Sequence, residues 1–343
     1  MRVADLRPAH FGWAVEVALD VEWAHATAPQ ANIILVTTPT AETLGVQGFS
    51  PMMNAIQYVV DNHLADVISM SLGAGEATFK NGTAALQNLR KAFIAAQANG
   101  ITVLASTGDD GSANILKEPV KDPPLIPYPS VSWPASDPLV TAVGGTYHCT
   151  DPTNTTSRVT DSSDPPIQCQ SHPGEAEVGW IAGGGGYSIL FSRPEYQNNL
   201  PAGSSYVGSS VGAPGPNSNM RGIPDVAYQA SARTAPLCYL GAFGWFTVGG
   251  TSCSAPQFAG LVAIADQISG TDLGLINPGL YRIGSDPARY AADFFDVTQG
   301  NNGLFEPTIP GYFASPGWDA VTGLGAPNAT NLAFDLVLAV HGQ

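Results

Sequence analysis

The stretch AALQNLRKAFIAAQANGITVLAS, residues 84–106, decides the fold. Its first part belongs to a helix predicted over Gly82–Asn99, and Gly100 is a good residue for the position just past a helix end. The following Ile101–Ser106 is a short continuous apolar run, the mark of a buried strand. The same pattern recurs on both sides. Upstream, Asp66–Leu72 (DVISMSL) reads as a buried strand, preceded by a helix over Pro51–Asn62 and a short apolar strand at Ile33–Val36. Residues 13–27 read as a helix, with Ala14, Val17, Ala18, Val21, Ala24 and Ala28 on one face and Pro29 ending it. Downstream, Leu139–Val143 is another strand. Helices and strands therefore alternate from 13 to 145, which implies a parallel sheet covered by helices. Ligands of such sheets bind beyond the carboxyl ends of the strands.

The rest of the chain is less regular. Residues 147–178 are polar, Pro-rich and bracketed by cysteines, and read as a surface insertion. A four-glycine run, Gly183–Gly186, follows Trp180, and residues 200–219 are a Gly/Ser/Pro-rich loop. A helix is expected from Ser254 to about Ser269 and another around Asn328–Val340, with loop-rich sequence between them. No repeat or linker stands out, so 1–343 is read as a single domain.

Composition narrows the function. Charged residues are 12% of the chain, with 13 Lys+Arg against 28 Asp+Glu, a net charge of −15 and a pI near 4.5. Phosphate contacts need basic patches, so nucleic acid is excluded as a partner, and an anionic membrane surface is unfavourable for the same reason. No apolar stretch reaches the ~20 residues of a membrane span. Near pH 4 about half the carboxylates would be protonated, bringing the net charge toward zero. An acidic habitat and an ordinary acidic protein explain this equally well.

Of four cysteines, Cys149 and Cys169 bracket the insertion, and a disulfide closing it is expected. Cys238 and Cys253 sit in apolar surroundings and read as buried thiols. No Cys/His cluster has zinc spacing. Residues 1–10 lack the apolar core of a signal peptide.

The strongest chemical signal is Gly249-Gly-Thr-Ser252-Cys-Ser-Ala-Pro256, where a serine follows a Gly-Thr turn and opens an apolar helix. A helix N-terminus favours developing negative charge, although a plain N-cap serine is an equal reading. A nucleophilic serine needs a base. None of the six histidines lies in a catalytic context, and His25 reads as a packed, hydrogen-bonded residue of the first helix. Glu16 and Asp20 share a helix face four residues apart. They form either a solvated acidic face or a pair whose pKa values are pushed apart, one member able to accept a proton in acid. Asp109, in Ser106-Thr-Gly-Asp109-Asp-Gly111, follows a predicted strand and is either a turn residue or an acid able to donate to an oxyanion.

Taken in order, Phe11-Gly-Trp-Ala-Val-Glu16-Val-Ala-Leu-Asp20-Val-Glu-Trp-Ala-His-Ala, Ser71-Leu-Gly, Gly108-Asp109, Gly183-Gly-Gly-Gly-Tyr-Ser, Arg193-Pro-Glu-Tyr-Gln, Arg221-Gly-Ile-Pro-Asp225-Val and Gly249-Gly-Thr-Ser252-Cys-Ser-Ala-Pro resemble the sedolisins, serine-carboxyl peptidases with a subtilisin-like fold. The resemblance implies a three-layer α/β sandwich with a mostly parallel central sheet. It further implies that this chain lacks the first part of that domain, including a first strand and a pro-segment, because Asp20 and Glu16 come so early. Ser252 would be the nucleophile, Glu16 its general base, Asp20 the partner hydrogen-bonded to Glu16, and Asp109 the protonated acid of the oxyanion hole. Asp110 follows Asp109 where a serine is common in the family, a like charge able to perturb Asp109.

By the same resemblance one Ca²⁺ would be held within 290–327 by the carboxylates of Asp296 and Asp319 and the carbonyls of Val297, Ser315 and Gly317. Ser71, Leu72 and Gly73, with Gly183, Gly184 and Gly185, would bind substrate backbone as an added strand. The expected activity is acidic hydrolysis of polypeptides, as an endopeptidase or a tripeptidyl-peptidase. A monomer is expected, in an extracellular or acidic compartment, with a separate or cleaved pro-segment as partner. Two rivals remain: an inactive homologue acting as a binding module, and a glycosidase using Glu16 and Asp20, whose carboxyls are too close for an inverting enzyme.

Overall fold

A computed structural model describes residues 8–79, 83–117, 122–149, 177–198, 200, 219–234 and 236–342 of the chain. The central sheet is built from β1 (Val67–Met70), β2 (Thr102–Ser106), β3 (Thr141–His148), β4 (Glu177–Gly179) and β5 (Val226–Gln229). β1 pairs with β2, β2 with β3 and β3 with β5, all in parallel, in registers that set Val67 beside Thr102, Leu104 beside Thr141 and Val143 beside Val226. Only β4 runs antiparallel, against the end of β3.

Helices cover both faces, which is why β2 reads as unbroken apolar sequence: all five of its residues are buried. Val103 and Ala105 pack with Phe49, Met53 and Ile56 of α2 (Val46–Asp61) and with Phe93 and Ala96 of α4 (Lys91–Ala98). Leu104 points the other way, joining Val143 and Val226 against Phe258 and Val262 of α5 (Thr251–Ser269), Leu280 of α6 (Asn277–Ser285) and Leu336 of α7 (Ala329–Val340). The expected three-layer, subtilisin-like α/β sandwich is the observed one.

The expected elements need four corrections. The helix predicted over Gly82–Asn99 is split at Arg90 into α3 (Thr83–Leu89) and α4, and the Arg90 guanidinium is held by buried Asp137, with Nη2 donating to Oδ1 at 2.9 Å. β3 runs past the predicted Leu139–Val143 because its later residues find partners in β5 and β4. The insertion is anchored in the sheet: His148 ends β3, Glu177 opens β4, and their side chains pair at 2.8 Å. Residues 150–176, including Cys169, lie outside the described residues, while Cys149 is disulfide-bonded.

The fourth correction concerns Ile33–Val36, which forms no strand. Its side chains are 39, 50, 53 and 43% exposed, and no described strand lies alongside to pair with it. Periodicity finds apolar extended sequence, but a strand also needs a neighbour for its backbone groups.

Behind the sheet the Arg221–Asp225 motif has a structural reason. Both residues are fully buried and meet in a two-pronged pair, Nη1 to Oδ1 at 2.7 Å and Nη2 to Oδ2 at 2.6 Å. Asp225 also accepts from the Tyr281 hydroxyl and the Ala142 amide, so it ties α6, β3 and the start of β5 together. Removing one partner strands the other's charge in the core. Arg221→Met should lower unfolding free energy by about 3–5 kcal/mol, read by denaturant melts, whereas the double change Arg221→Met/Asp225→Leu should recover part of that loss.

Candidate active site

The site forms where α1 (Pro8–Thr27) crosses the N-terminus of α5 at the carboxyl ends of β1 and β2. Gly260 allows the crossing to be close: a Cβ there would lie 2.6 Å from the Thr27 side chain. Leu19 is buried between the helices with Cys238 and Cys253. The apolar face of α1 therefore does not leave Glu16 and Asp20 on a solvated back. Both are partly buried, Glu16 facing Ser252 and Asp20 facing Ser71. His25, expected to be packed, is exposed instead.

Ser252 is the second residue of α5, whose N-cap is Gly250, so it is not a capping serine. Its hydroxyl is near enough to the Glu16 carboxyl to favour the ionised form, while Glu16 Oε1 is buried without a hydrogen-bond partner. Asp20 accepts from Ser71 Oγ at 2.6 Å, and it acts on Glu16 through its charge. On the other side, Gly250 takes φ +138°, and a Cβ there would lie 2.7 Å from Asp109 Oδ2. A glycine is thus required for the turn to pass Asp109. Asp109 Oδ1 accepts from the Thr251 amide at 2.7 Å and the Thr251 hydroxyl at 3.0 Å. Glu16, Asp20, Asp109 and Ser252, far apart in sequence, are brought together.

The electrostatics follow from burial. Burial pushes Glu16 up to about 8, the charges of Asp20, Asp109 and Glu42 add to this, and the Ser252 hydroxyl opposes it. Burial pushes Asp20 up to about 7 against the Ser71 bond. Asp109 is pushed up to about 6 by the protein around its carboxyl, with Asp110 adding and both Thr251 donors opposing. Solvent reaches Asp109 as a residue, and water screens part of that push. The three carboxyls titrate as a set, and each proton taken up by Asp20 or Asp109 relieves Glu16 of a repelling charge.

Sequence reasoning missed three members. Thr251 was hidden inside the Gly-Thr turn. Glu42 and Lys117, 4.0 Å apart, sit beside the site and act by charge on Glu16 and Asp110 respectively. Neither lies in a recognisable motif.

Ser71, Leu72 and Gly73 follow β1 directly and are half-buried. Gly183, Gly184 and Gly185 are buried, and the Gly184 amide already donates to the Gly108 carbonyl at 2.8 Å. A Cβ on Gly184 would lie 2.1 Å from the Thr107 carbonyl, so this run packs against the loop that carries Asp109.

Further off, Asp296 accepts from the Gly317 amide at 2.9 Å, and Asp319 accepts from the amides of Ser315, Val321 and Thr322. Burial pushes the Asp319 carboxyl up to about 7, and Asp296 adds to that by its charge. Two carboxyls thus face each other across a loop with no cation among the side chains described at them. Among the described residues no group of three or more His, Cys, Asp and Glu has the arrangement of a metal site, so carbonyl oxygens would have to complete one.

The chain matches the Subtilase family over residues 14–271. It is 34% identical to kumamolisin of Bacillus sp. (strain MN-32), over 91% of this chain and 49% of that protein. To sedolisin of Pseudomonas sp. (strain 101) it is 32% identical, over 83% of this chain and 43% of that protein. It therefore spans about half the length of these relatives or less. Among solved structures, that of Pseudomonas sedolisin, a serine-carboxyl proteinase complexed with two molecules of pseudo-iodotyrostatin, superposes with a TM-score of 0.69 at 28% identity, covering 96% of this chain and 79% of that one. The chain belongs to the subtilase family, in its sedolisin branch.

Proposed function

We propose that this chain is the core of a serine-carboxyl peptidase that hydrolyses polypeptides in acid. The observation that carries the reading is the convergence of the Ser252 hydroxyl on the Glu16 carboxyl, with Asp20 and Asp109 on either side. Ser252 Oγ attacks the scissile carbonyl while Glu16 takes its proton. The oxyanion of the tetrahedral intermediate accepts a hydrogen bond from neutral Asp109. Collapse expels the amine, which takes the proton from Glu16, and leaves an ester on Ser252. Water, deprotonated by Glu16, hydrolyses that ester. Asp20, held by Ser71, positions Glu16. Burial holds Glu16 protonated in the resting site, so it acts as base only once it has lost that proton, a loss that protons taken up by Asp20 and Asp109 make easier by removing repelling charge.

Substrates are polypeptides, and a separate or cleaved pro-segment is the expected partner, in an extracellular or acidic compartment. Of the candidate substrate contacts, Ser71, Leu72 and Gly73 suit strand addition better than the buried glycines 183–185. The test is a fluorogenic peptide assay at pH 4 with capture of Ser252 by a peptide aldehyde. Hydrolysis blocked by the aldehyde is expected, and neither hydrolysis nor capture would favour the inactive homologue.

One Ca²⁺ held by Asp296 and Asp319, with the carbonyls of Val297, Ser315 and Gly317, suits the donor set: hard oxygens and two carboxyls short of countercharge. The ion would supply that charge and brace the loops. A chelator should lower the melting temperature and added Ca²⁺ restore it, with both effects lost in Asp319→Asn. A melting temperature indifferent to chelator and Ca²⁺ would exclude the site.

A further inference from the structure

Asp109 presents two unequal oxygens. Oδ1 accepts from the Thr251 amide at 2.7 Å and from the Thr251 hydroxyl at 3.0 Å, while Oδ2 is the atom nearest the Cα side of Gly250, two residues before Ser252. The hydroxyl oxygen accepts from the Gly108 amide at 3.0 Å, and its one proton has two acceptors in reach, Asp109 Oδ1 at 3.0 Å and the Gly108 carbonyl at 3.2 Å, of which the carboxyl oxygen is the nearer. Thr251 is 1% exposed, so its two donors are shielded from water although Asp109 itself is exposed. An oxygen that accepts from a short amide contact and a hydroxyl behaves as the carbonyl oxygen of a neutral carboxyl, and the acid proton then belongs on the other oxygen.

We propose that Thr251 is a positioning residue that fixes the proton of neutral Asp109 on Oδ2, the oxygen that Thr251 leaves free beside Gly250. The inference deepens the reading of Asp109 as the oxyanion acid and rests on it. A carboxylic acid can donate through only one oxygen at a time. Without the hydroxyl, the proton has less reason to avoid Oδ1, and part of the population presents an acceptor, not a donor, to the oxyanion. The same two bonds also favour the ionised form, in which Oδ1 accepts more strongly, so losing one raises the affinity of Asp109 for its proton. The charged groups acting on this carboxyl or its neighbour are Asp110 and Lys117, and Asp109 in turn acts on Glu16.

The test compares Thr251→Val, which keeps shape and amide but loses the hydroxyl, with Thr251→Ser, which keeps both donors. Thr251→Val should lower kcat by about 10- to 100-fold with KM changed less than threefold, and should move the alkaline limb of the kcat/KM profile to higher pH. Thr251→Ser should restore both. Equal impairment of the two variants would assign Thr251 to packing through its methyl group, and an unmoved limb with unchanged kcat would overturn the proposal. Should Thr251→Val not fold, Thr251→Ala against Thr251→Ser carries the same contrast. Asp109→Asn is measured in parallel. If it retains full activity, the reading of Asp109 itself fails; if it is inactive while Thr251→Val is normal, only the placement of the proton fails.

Discussion

Exchanging Ser252 for Ala lowers kcat/KM for peptide hydrolysis at pH 4 by about 10,000-fold or more and leaves the fold intact. Ser252 is partly exposed at the first turn of α5, and its side chain contributes nothing to the core clusters. Glu16→Gln should cost nearly as much, because the amide keeps shape and hydrogen bonding but cannot accept the proton. The two losses do not add: once the nucleophile is gone, the base has nothing to deprotonate, and the double variant should resemble Ser252→Ala alone. Asp20→Asn should be milder, since Asp20 works through Glu16, and should move the acid limb of the pH profile. Undiminished hydrolysis by purified Ser252→Ala would end the peptidase assignment for this site, and full additivity of Ser252→Ala and Glu16→Gln would separate Glu16 from the serine.

The same residues explain what was legible in the sequence. The run at Ile101–Ser106 could be read because a strand buried on both faces leaves little polar alternation, whereas Asp66–Leu72, read as buried, is a strand with Ser69 exposed and only Met70 buried. Glu16 and Asp20 were recognisable as a pair, but their direction was not. Helical spacing gives the face they share, whereas the packing of α1 along α5, with Leu19 against Cys253 and Thr27 against Gly260, turns this face inward. Thr251 escaped notice because its role depends on which atom of Asp109 it touches, a matter of ångströms that no spacing rule encodes. Ile33–Val36 failed for the opposite reason. Its local pattern is a good strand, but pairing is non-local, and no described neighbour supplies it.

Acidification from pH 7.5 to 4.5 should raise the melting temperature by at least a few degrees, measured on Ser252→Ala to prevent self-digestion. The sign comes from buried carboxyls. Glu16 and Asp20 are pushed up to about 8 and about 7, chiefly by burial. Far from the site, Asp266 is pushed up to about 7 by burial, with Asp272 and Asp66 adding, and fully buried Asp293 is pushed up by burial and by Asp335 beside it. In the unfolded chain all of these titrate near 4. A carboxyl that holds its proton more tightly when folded contributes stability that is complete below about 4 and is lost as pH rises through the folded-state values near 7. More than one pKa unit on each of Asp266 and Asp293 already implies at least about 2–3 kcal/mol, enough to move the midpoint by a few degrees in a chain of this size. Asp266→Asn/Asp293→Asn, neutral at every pH, should flatten the rise by raising the melting temperature at pH 7.5 more than at pH 4.5. A melting temperature that falls on mild acidification would contradict this account. So would a double variant with an undiminished slope, because the stabilising protons would then lie on other groups.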